Sequence, residues 1–144
     1  MHSIADIRDG LLKHATRIQI TDNISEFPTE IFDLSETLET LDLSGNQLSE
    51  LPEDFARLSQ LKVLFLSNNQ FTKLPAVLAD CPKLEIIAFK GNQIVEVPEN
   101  SLPPSTRWLI LTDNAVTKLP ESMGELKALQ KLALAGNQLT SLPE

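Results

Sequence analysis

The stretch LETLDLSGNQLSELPEDFARLSQ, residues 38–60, decides the fold because most of the chain repeats its pattern. Residues 61–83 read LKVLFLSNNQFTKLPAVLADCPK, in which the leucines, the asparagine and the Leu-Pro pair keep their places. The repeated asparagines are separated by 23, 23, 22 and 23 residues; they are Asn46, Asn69, Asn92, Asn114 and Asn137. This period predicts stacked units that share one core, because a single unit cannot bury its own leucines.

The repeats divide residues 1–144 into consecutive units of one domain, the number that a chain of this length favours. The units are an N-terminal cap at 1–14, a degenerate repeat at 15–37, full repeats at 38–60, 61–83, 84–105 and 106–128, and a truncated repeat at 129–144. The cap is predicted to be a helix over residues 3–13. Ser3 is its expected N-cap, and Ile4, Ile7 and Leu11 share one face.

Each unit opens with a short segment in which apolar and polar residues alternate. In the first full repeat this alternation turns Leu41 and Leu43 to one face and Thr40 and Asp42 to the other, as in a half-buried strand. Stacked units place such strands side by side in a parallel sheet. The segment after each apolar-Pro pair favours a short helical turn. The predicted fold is therefore an α/β solenoid, an arc with a concave parallel β-sheet, convex helical or 3₁₀ segments and an N-terminal capping helix.

The pattern L-x-x-L-x-L-x-x-N-x-L-x-x-L-P-x-x-x-x-x-L-x-x resembles the 23-residue class of the leucine-rich repeat family over about residues 15–144. The cap and residues 30–58, 81–94 and 102–114 also resemble the repeat region that precedes a serine/threonine kinase-like domain in a group of bacterial cytoplasmic proteins. This second resemblance implies that the chain is the recognition part of such a protein. It carries over no catalytic residue, because none of that group's kinase motifs occurs here.

The resemblance has two local departures. Thr106 stands where the pattern has leucine, and residues 101–105, SLPPS, shorten their unit by one residue. The two prolines predict an extended segment in place of the helical piece.

The repeated asparagine has an expected structural role. At the bend after each strand, backbone groups turn inward without ladder partners, and an amide side chain can satisfy both donors and acceptors. We therefore interpret Asn46, Asn69, Asn92, Asn114 and Asn137 as a buried asparagine ladder rather than as ligand-binding residues.

Composition restricts the class of partner and the compartment. The chain has 20 acidic and 12 basic residues and a net charge of −8, which disfavours nucleic acid as a partner. No stretch approaches the roughly 20 apolar residues that span a bilayer, and the N-terminus carries acids where a signal peptide is apolar. The single cysteine, Cys81, cannot form an internal disulfide. We expect a cytoplasmic protein that contacts no membrane.

Catalytic motifs are missing from the sequence. His2 and His14 have no cysteine or serine plausibly poised beside them, and Cys81 occupies a core leucine position. There is no Cys-x-x-Cys or His-Glu-x-x-His metal motif, and the glycines form no nucleotide-binding loop. We therefore predict no enzyme activity, cofactor or metal for this chain.

The only tryptophan, Trp108, falls at a position that faces away from the core. Alignment through Asn114 turns Leu109 and Leu111 inward, so Trp108 and Ile110 point to the concave surface. Neighbouring strands extend this position into an apolar patch with a polar rim. The predicted partner-binding residues are Val63, Phe65, Ile86, Ala88, Trp108, Ile110 and Lys131, with Asp42 and Lys90 at the rim. Contiguous exposed apolar surface usually marks an interaction site.

These features favour a non-enzymatic module that recognises a protein partner through its concave face. Two alternatives stay open. The patch could pack on itself or beneath a later part of a longer chain, or the chain could be the substrate-selecting or regulatory arm of a bacterial serine/threonine kinase whose catalytic domain lies beyond residue 144. A ubiquitin-ligase effector arm is a weaker third option, because those repeats are shorter.

The C-terminal unit is expected to be uncapped. The chain stops in mid-repeat, which leaves Leu129, Leu132, Leu134, Leu139 and Leu142 without a neighbour above them. An open strand edge with bare leucines favours association. We expect either a longer natural polypeptide or a homo-oligomer formed through this edge.

Overall fold

The computed structural model describes residues 2–140 of the chain, in which short parallel strands form one sheet. The strands follow one another in chain order across the sheet, from β1 to β6. They are β1 Arg17–Gln19, β2 Thr40–Asp42, β3 Val63–Phe65, β4 Ile86–Ala88, β5 Trp108–Ile110 and β6 Lys131–Ala133. The predicted solenoid arc is confirmed.

The register of the sheet places equivalent residues of successive repeats side by side. Leu41 is paired with Leu64, and Ile87 with Leu109. All four of these side chains are fully buried, so the leucine stripes merge into one continuous core, as predicted. The residues on either side of them in each strand form columns on the opposite face.

The convex side carries short 3₁₀ helices after the apolar-Pro pairs. They are Thr29–Leu34, Phe55–Arg57, Ala76–Asp80 and Glu121–Glu125. The repeat at 84–105 has none, as its two adjacent prolines predict. A turn replaces it, in which the Thr106 hydroxyl and amide both donate to the Pro103 carbonyl, at 2.7 and 3.0 Å. Thr106 is fully buried, and its hydroxyl gives the Pro103 carbonyl a hydrogen bond that a leucine at this position could not donate.

The N-terminal helix is shorter than predicted. It runs over Ile4–Arg8, with the Ser3 hydroxyl accepting a hydrogen bond from the amide of Asp6 as expected of an N-cap. The helix ends before Gly10, which has φ +75°, a conformation that favours glycine and stops an α-helix. Ile7 is buried, but Leu11 is 72% exposed. The predicted helix over 3–13, with Leu11 on the same face as Ile7, is therefore wrong.

The N-terminal segment also covers the first edge of the sheet. The His2 amide donates to the Gln19 carbonyl at 2.8 Å, and the Gln19 amide donates to His2 Nδ1 at 2.9 Å. An ion pair between Arg8 and Glu30, 3.0 Å long, joins the helix to the first 3₁₀ segment. Hydrogen bonding to its own backbone and to Arg8 lowers the pKa of the Glu30 carboxyl. The first repeat is thus capped by backbone and side-chain contacts.

The opposite edge ends at β6. The leucines of this last unit are half-buried, at positions Leu129, Leu132, Leu134 and Leu139, whereas their equivalents in the inner repeats are almost all fully buried. Leu142, which was also predicted to lie on this edge, falls outside the described residues.

The loops that follow the strands share a left-handed residue, and its identity alternates from repeat to repeat. Glycine and Asx residues occupy the position in turn, in the order Gly45, Asn68, Gly91, Asp113 and Gly136, with φ between 56° and 77°. At Gly91 an added Cβ would overlap the side-chain oxygen of Asn68. The Asx side chain therefore uses space that the glycine of the next repeat leaves empty.

Candidate functional site

The concave face is built from the outward positions of the strands. We define the concave patch as Val63, Phe65, Ile86, Trp108 and Ile110, which lie on three neighbouring strands. Trp108 is 40% exposed, and the other four are partly exposed. The structure thus brings these five predicted residues together on one surface.

Ala88 corrects the predicted site. It occupies an outward position between Phe65 and Ile110, its partners in the adjacent strands, but only 6% of it is exposed. Larger side chains on both sides cover its methyl group, so it offers little contact area of its own. Ala88 instead forms the floor of the patch.

Two predicted cationic residues flank the patch, Lys131 on the next strand and Lys90 just after β4. The Lys131 ammonium lies 5.1 Å from the centre of the Trp108 ring, a cation–π contact with its neighbour across β5 and β6. Lys90 is exposed at the end of β4. Among residues 2–140, neither lysine lies within ion-pairing distance of a carboxylate.

Asp42, predicted at the acidic rim, is less available than the sequence suggests. Its Oδ1 atom accepts a hydrogen bond from the Ser44 amide at 3.0 Å, and the residue is only partly exposed. This bond is a local turn contact that aspartate makes readily. Asp42 therefore bounds the N-terminal side of the patch with a carboxylate already bonded on one oxygen.

A column of alternating charge runs along one edge of the patch and was missed by the sequence-based predictions. Lys62 contacts Glu39 at 3.8 Å, and Arg107 contacts Glu85 at 3.1 Å. Aligning the second residue of each unit would have revealed this alternation. Exposed pairs of this kind contribute at most about 1 kcal/mol each. Their main effect is to neutralise the charges beside the patch.

The asparagine ladder links adjacent repeats through backbone hydrogen bonds. Asn92 is typical: its Nδ2 donates to the carbonyls of Leu66 and Phe89, at 3.0 and 2.9 Å, and its Oδ1 accepts from the amide of Phe71 at 3.1 Å. Equivalent bonds are made by Asn46, Asn69, Asn114 and Asn137. Four of the five are buried, and Asn137 in the last unit is half-buried. No side-chain atom of the ladder is left for a ligand.

Cys81 is fully buried in the convex layer. Burial, with a smaller contribution from the Asp80 carboxylate, raises the pKa of the Cys81 thiol to about 12. Because the thiolate is the nucleophile, a buried thiol with this pKa is inert.

We expect Cys81 to react with a maleimide or a disulfide reagent at pH 8 on the order of 10³-fold more slowly in the folded chain than in urea, since the thiolate fraction falls with the raised pKa. The thiol ionises at a lower pH in the unfolded chain than in the folded chain. Raising the pH above about 8.5 therefore lowers the free energy of unfolding. Equal labelling rates in the two states would contradict the buried position.

The concave patch is an open surface rather than a cavity. Two cavities, of about 220 and 470 Å³, lie among residues 79–126 on the returning segments, and neither includes a residue of the patch. Within residues 2–140, no cluster of histidine, cysteine or carboxylate side chains could hold a metal ion. No helix in that range has the length and apolar character to cross a bilayer.

The repeats, the sheet and the asparagine ladder together define a family. Residues 13–71 and 36–94 match the model of the family described as leucine rich repeat. The two matches together cover more than half of the chain. The chain belongs to the leucine-rich repeat family.

Solved structures of other leucine-rich repeat proteins are similar to the chain. The ectodomain of the plant membrane receptor kinase GASSHO1/SCHENGEN3 from Arabidopsis thaliana, in complex with CASPARIAN STRIP INTEGRITY FACTOR 2, matches 90% of this chain and 16% of that one, at 31% identity and a TM-score of 0.74. A leucine-rich repeat protein of Leptospira interrogans matches 92% of this chain and 40% of that one, at 27% identity and a TM-score of 0.69. This chain therefore spans less than half the length of either protein. No curated protein sequence matches it significantly.

Proposed function

We propose that this chain is a non-enzymatic recognition module that binds a protein partner on its concave face, with Trp108 at the centre of the contact. The exposure of Trp108 beside Ile86 and Ile110 is the observation that carries the proposal. An apolar surface spread over adjacent strands suits a protein segment better than a small molecule, which usually needs an enclosed pocket. The plant receptor ectodomain, solved with CASPARIAN STRIP INTEGRITY FACTOR 2 bound, supports this class of function by likeness.

The exposed fraction of the indole sets the size of the expected contribution. A tryptophan side chain offers about 150–250 Å², of which 40% is exposed in Trp108. Burying that remainder gives about 2 kcal/mol at roughly 25 cal/mol per Å². This is the scale of a binding hot spot, and tryptophan is enriched among them.

The test is a pull-down that compares the wild type with the variant Trp108→Ala/Phe65→Ala. Loss of about 2 kcal/mol weakens a complex roughly 30-fold, so we expect the partner to be lost from the double variant. The matched control is Leu11→Ala/Val95→Ala, because these apolar residues are 72% and 51% exposed and lie outside the patch. Circular dichroism of each variant checks that the fold is intact. Equal recovery of every partner by the wild type and the concave variant would refute the proposal.

A second candidate is that the same face serves as the substrate-selecting or regulatory arm of a serine/threonine kinase. It is favoured by the sequence resemblance to repeat regions that precede kinase-like domains, and by the likeness to the ectodomain of a receptor kinase. The natural reading frame distinguishes the two candidates. A kinase domain in the same polypeptide would support the second candidate, and a frame without one would remove it.

A further inference from the structure

We infer that the partner of the concave face is an extended acidic segment in which one apolar side chain lies between two carboxylates. This inference rests on the proposed function and adds the chemistry of the partner. It follows from the charges, the spacing and the side-chain sizes on β4, β5 and β6.

The charge on this half of the face is cationic, although the chain as a whole carries −8. The outward positions of the three strands and of the two residues beyond each are Ile86, Ala88, Lys90, Trp108, Ile110, Thr112, Lys131, Ala133 and Ala135. Two of these nine side chains are cationic, and none is anionic. The nearby Arg107 is already paired with Glu85, and Asp113, in the turn after β5, is an exposed carboxylate. The two lysines outnumber this carboxylate, so the region offers a partner a net positive charge.

The distance between the two lysines sets the spacing that we expect between the two acidic residues of the partner. Lys131 lies at the first position of β6, and Lys90 lies two residues beyond the end of β4, in the turn that follows. With about 3.3 Å per residue along a strand and about 4.8 Å between strands, their Cα atoms are roughly 16 Å apart. An extended segment covers that distance in about five residues. Two carboxylates four to six residues apart could therefore reach both ammonium groups.

The side chains between the two lysines indicate where the apolar side chain of the partner segment packs. The line from Lys131 to Lys90 crosses the middle of β5 at Ile110, with Trp108 beside it. Ile110 is flanked in the same column by the small side chains of Ala88 and Ala133. An aromatic or aliphatic side chain on the segment can pack there against the indole. Its two acids would then reach the lysines at the ends of the line.

Selection from a random-peptide display library on the whole chain provides the test. We expect enriched peptides to carry an apolar residue between two acids four to six residues apart. Affinity of the consensus peptide is then measured by its effect on Trp108 fluorescence. Charge reversal in Lys90→Glu/Lys131→Glu should weaken binding about tenfold, and added salt should shrink the difference, because exposed charges are screened. The matched control, Lys83→Glu/Lys127→Glu, makes the same charge change outside the outward strand positions and should bind like the wild type.

The outcomes separate this inference from the proposed function. Peptides that depend on Trp108 but lack acids, or that lose equal affinity in the control variant, overturn the acidic partner and leave the concave site standing. A library that yields no peptide sensitive to Trp108→Ala/Phe65→Ala overturns both. A single-stranded RNA probe that binds the wild type and is lost in Lys90→Glu/Lys131→Glu would identify a nucleic acid in place of the peptide and overturn the inference.

Discussion

Replacing Asn92 by alanine is expected to lower the free energy of unfolding by about 1–3 kcal/mol, because it leaves one buried backbone amide without a partner and takes one of two donors from each of two inward carbonyls. The amide is that of Phe71. The carbonyls are those of Leu66 and Phe89, which keep hydrogen bonds from Asn69 and Asn114. Each unpaired buried group costs about 1–3 kcal/mol, and a water molecule entering the space can recover only part of the loss. Urea unfolding, followed by circular dichroism and by Trp108 fluorescence, gives the difference.

Two variants control the Asn92 measurement. Gln93 is the next residue and is exposed, so Gln93→Ala should change stability by less than about 0.5 kcal/mol. Asn137 makes the same kinds of hydrogen bond but is half-buried, so Asn137→Ala should cost less than Asn92→Ala. If Asn92→Ala proves as mild as Gln93→Ala, the ladder does not stabilise the solenoid.

Removing the ring of Phe89 should cost more. Phe89 is fully buried, and its ring packs edge-on against that of Phe71, with centroids 5.1 Å apart and planes at 84°. We expect Phe89→Ala to lower the free energy of unfolding by about 3–5 kcal/mol, since the lost transfer energy adds to the cost of the cavity. The measurement is again urea unfolding.

The neighbouring positions supply the controls for Phe89. Leucine occupies the equivalent place in other repeats, at Leu66 and Leu111, so Phe89→Leu keeps most of the packing and should cost less than Phe89→Ala. Because the two rings touch, the variant Phe71→Ala/Phe89→Ala should lose less stability than the sum of the single variants. Strict additivity would show that the ring contact contributes nothing.

The architecture could be predicted from the sequence because the fold depends on a pattern that recurs in successive repeats. A strand repeated every 22 or 23 residues fixes which side chains face inward, and the structure buries Leu41, Leu64 and Leu109 accordingly. The same phase predicts the outward position of Trp108, which is exposed. The extended segment before Thr106 followed from its two prolines.

Features that depend on a particular neighbour were predicted less well. Ala88 was expected on the surface, but its exposure depends on the size of the residues beside it in other strands. The predicted cap helix was too long. The spacing of the apolar residues favoured a helix that reaches Leu11, whereas Gly10, with its left-handed backbone, ends it earlier. The stacking of Lys131 on Trp108 depends on side-chain conformation, which a column of residue types does not give.

Acidic and basic residues alternate from repeat to repeat in one column, and glycine and Asx residues alternate in another. The solenoid therefore has a period of two repeats rather than one. Deleting a single repeat would bring Glu39 beside Glu85, where like charges repel, and would place Gly45 beside Gly91. Deleting two would bring Glu39 beside Arg107 and Gly45 beside Asp113, which restores both alternations. The smallest piece of the chain that can be cut out or duplicated without breaking its own pattern is therefore a pair of repeats.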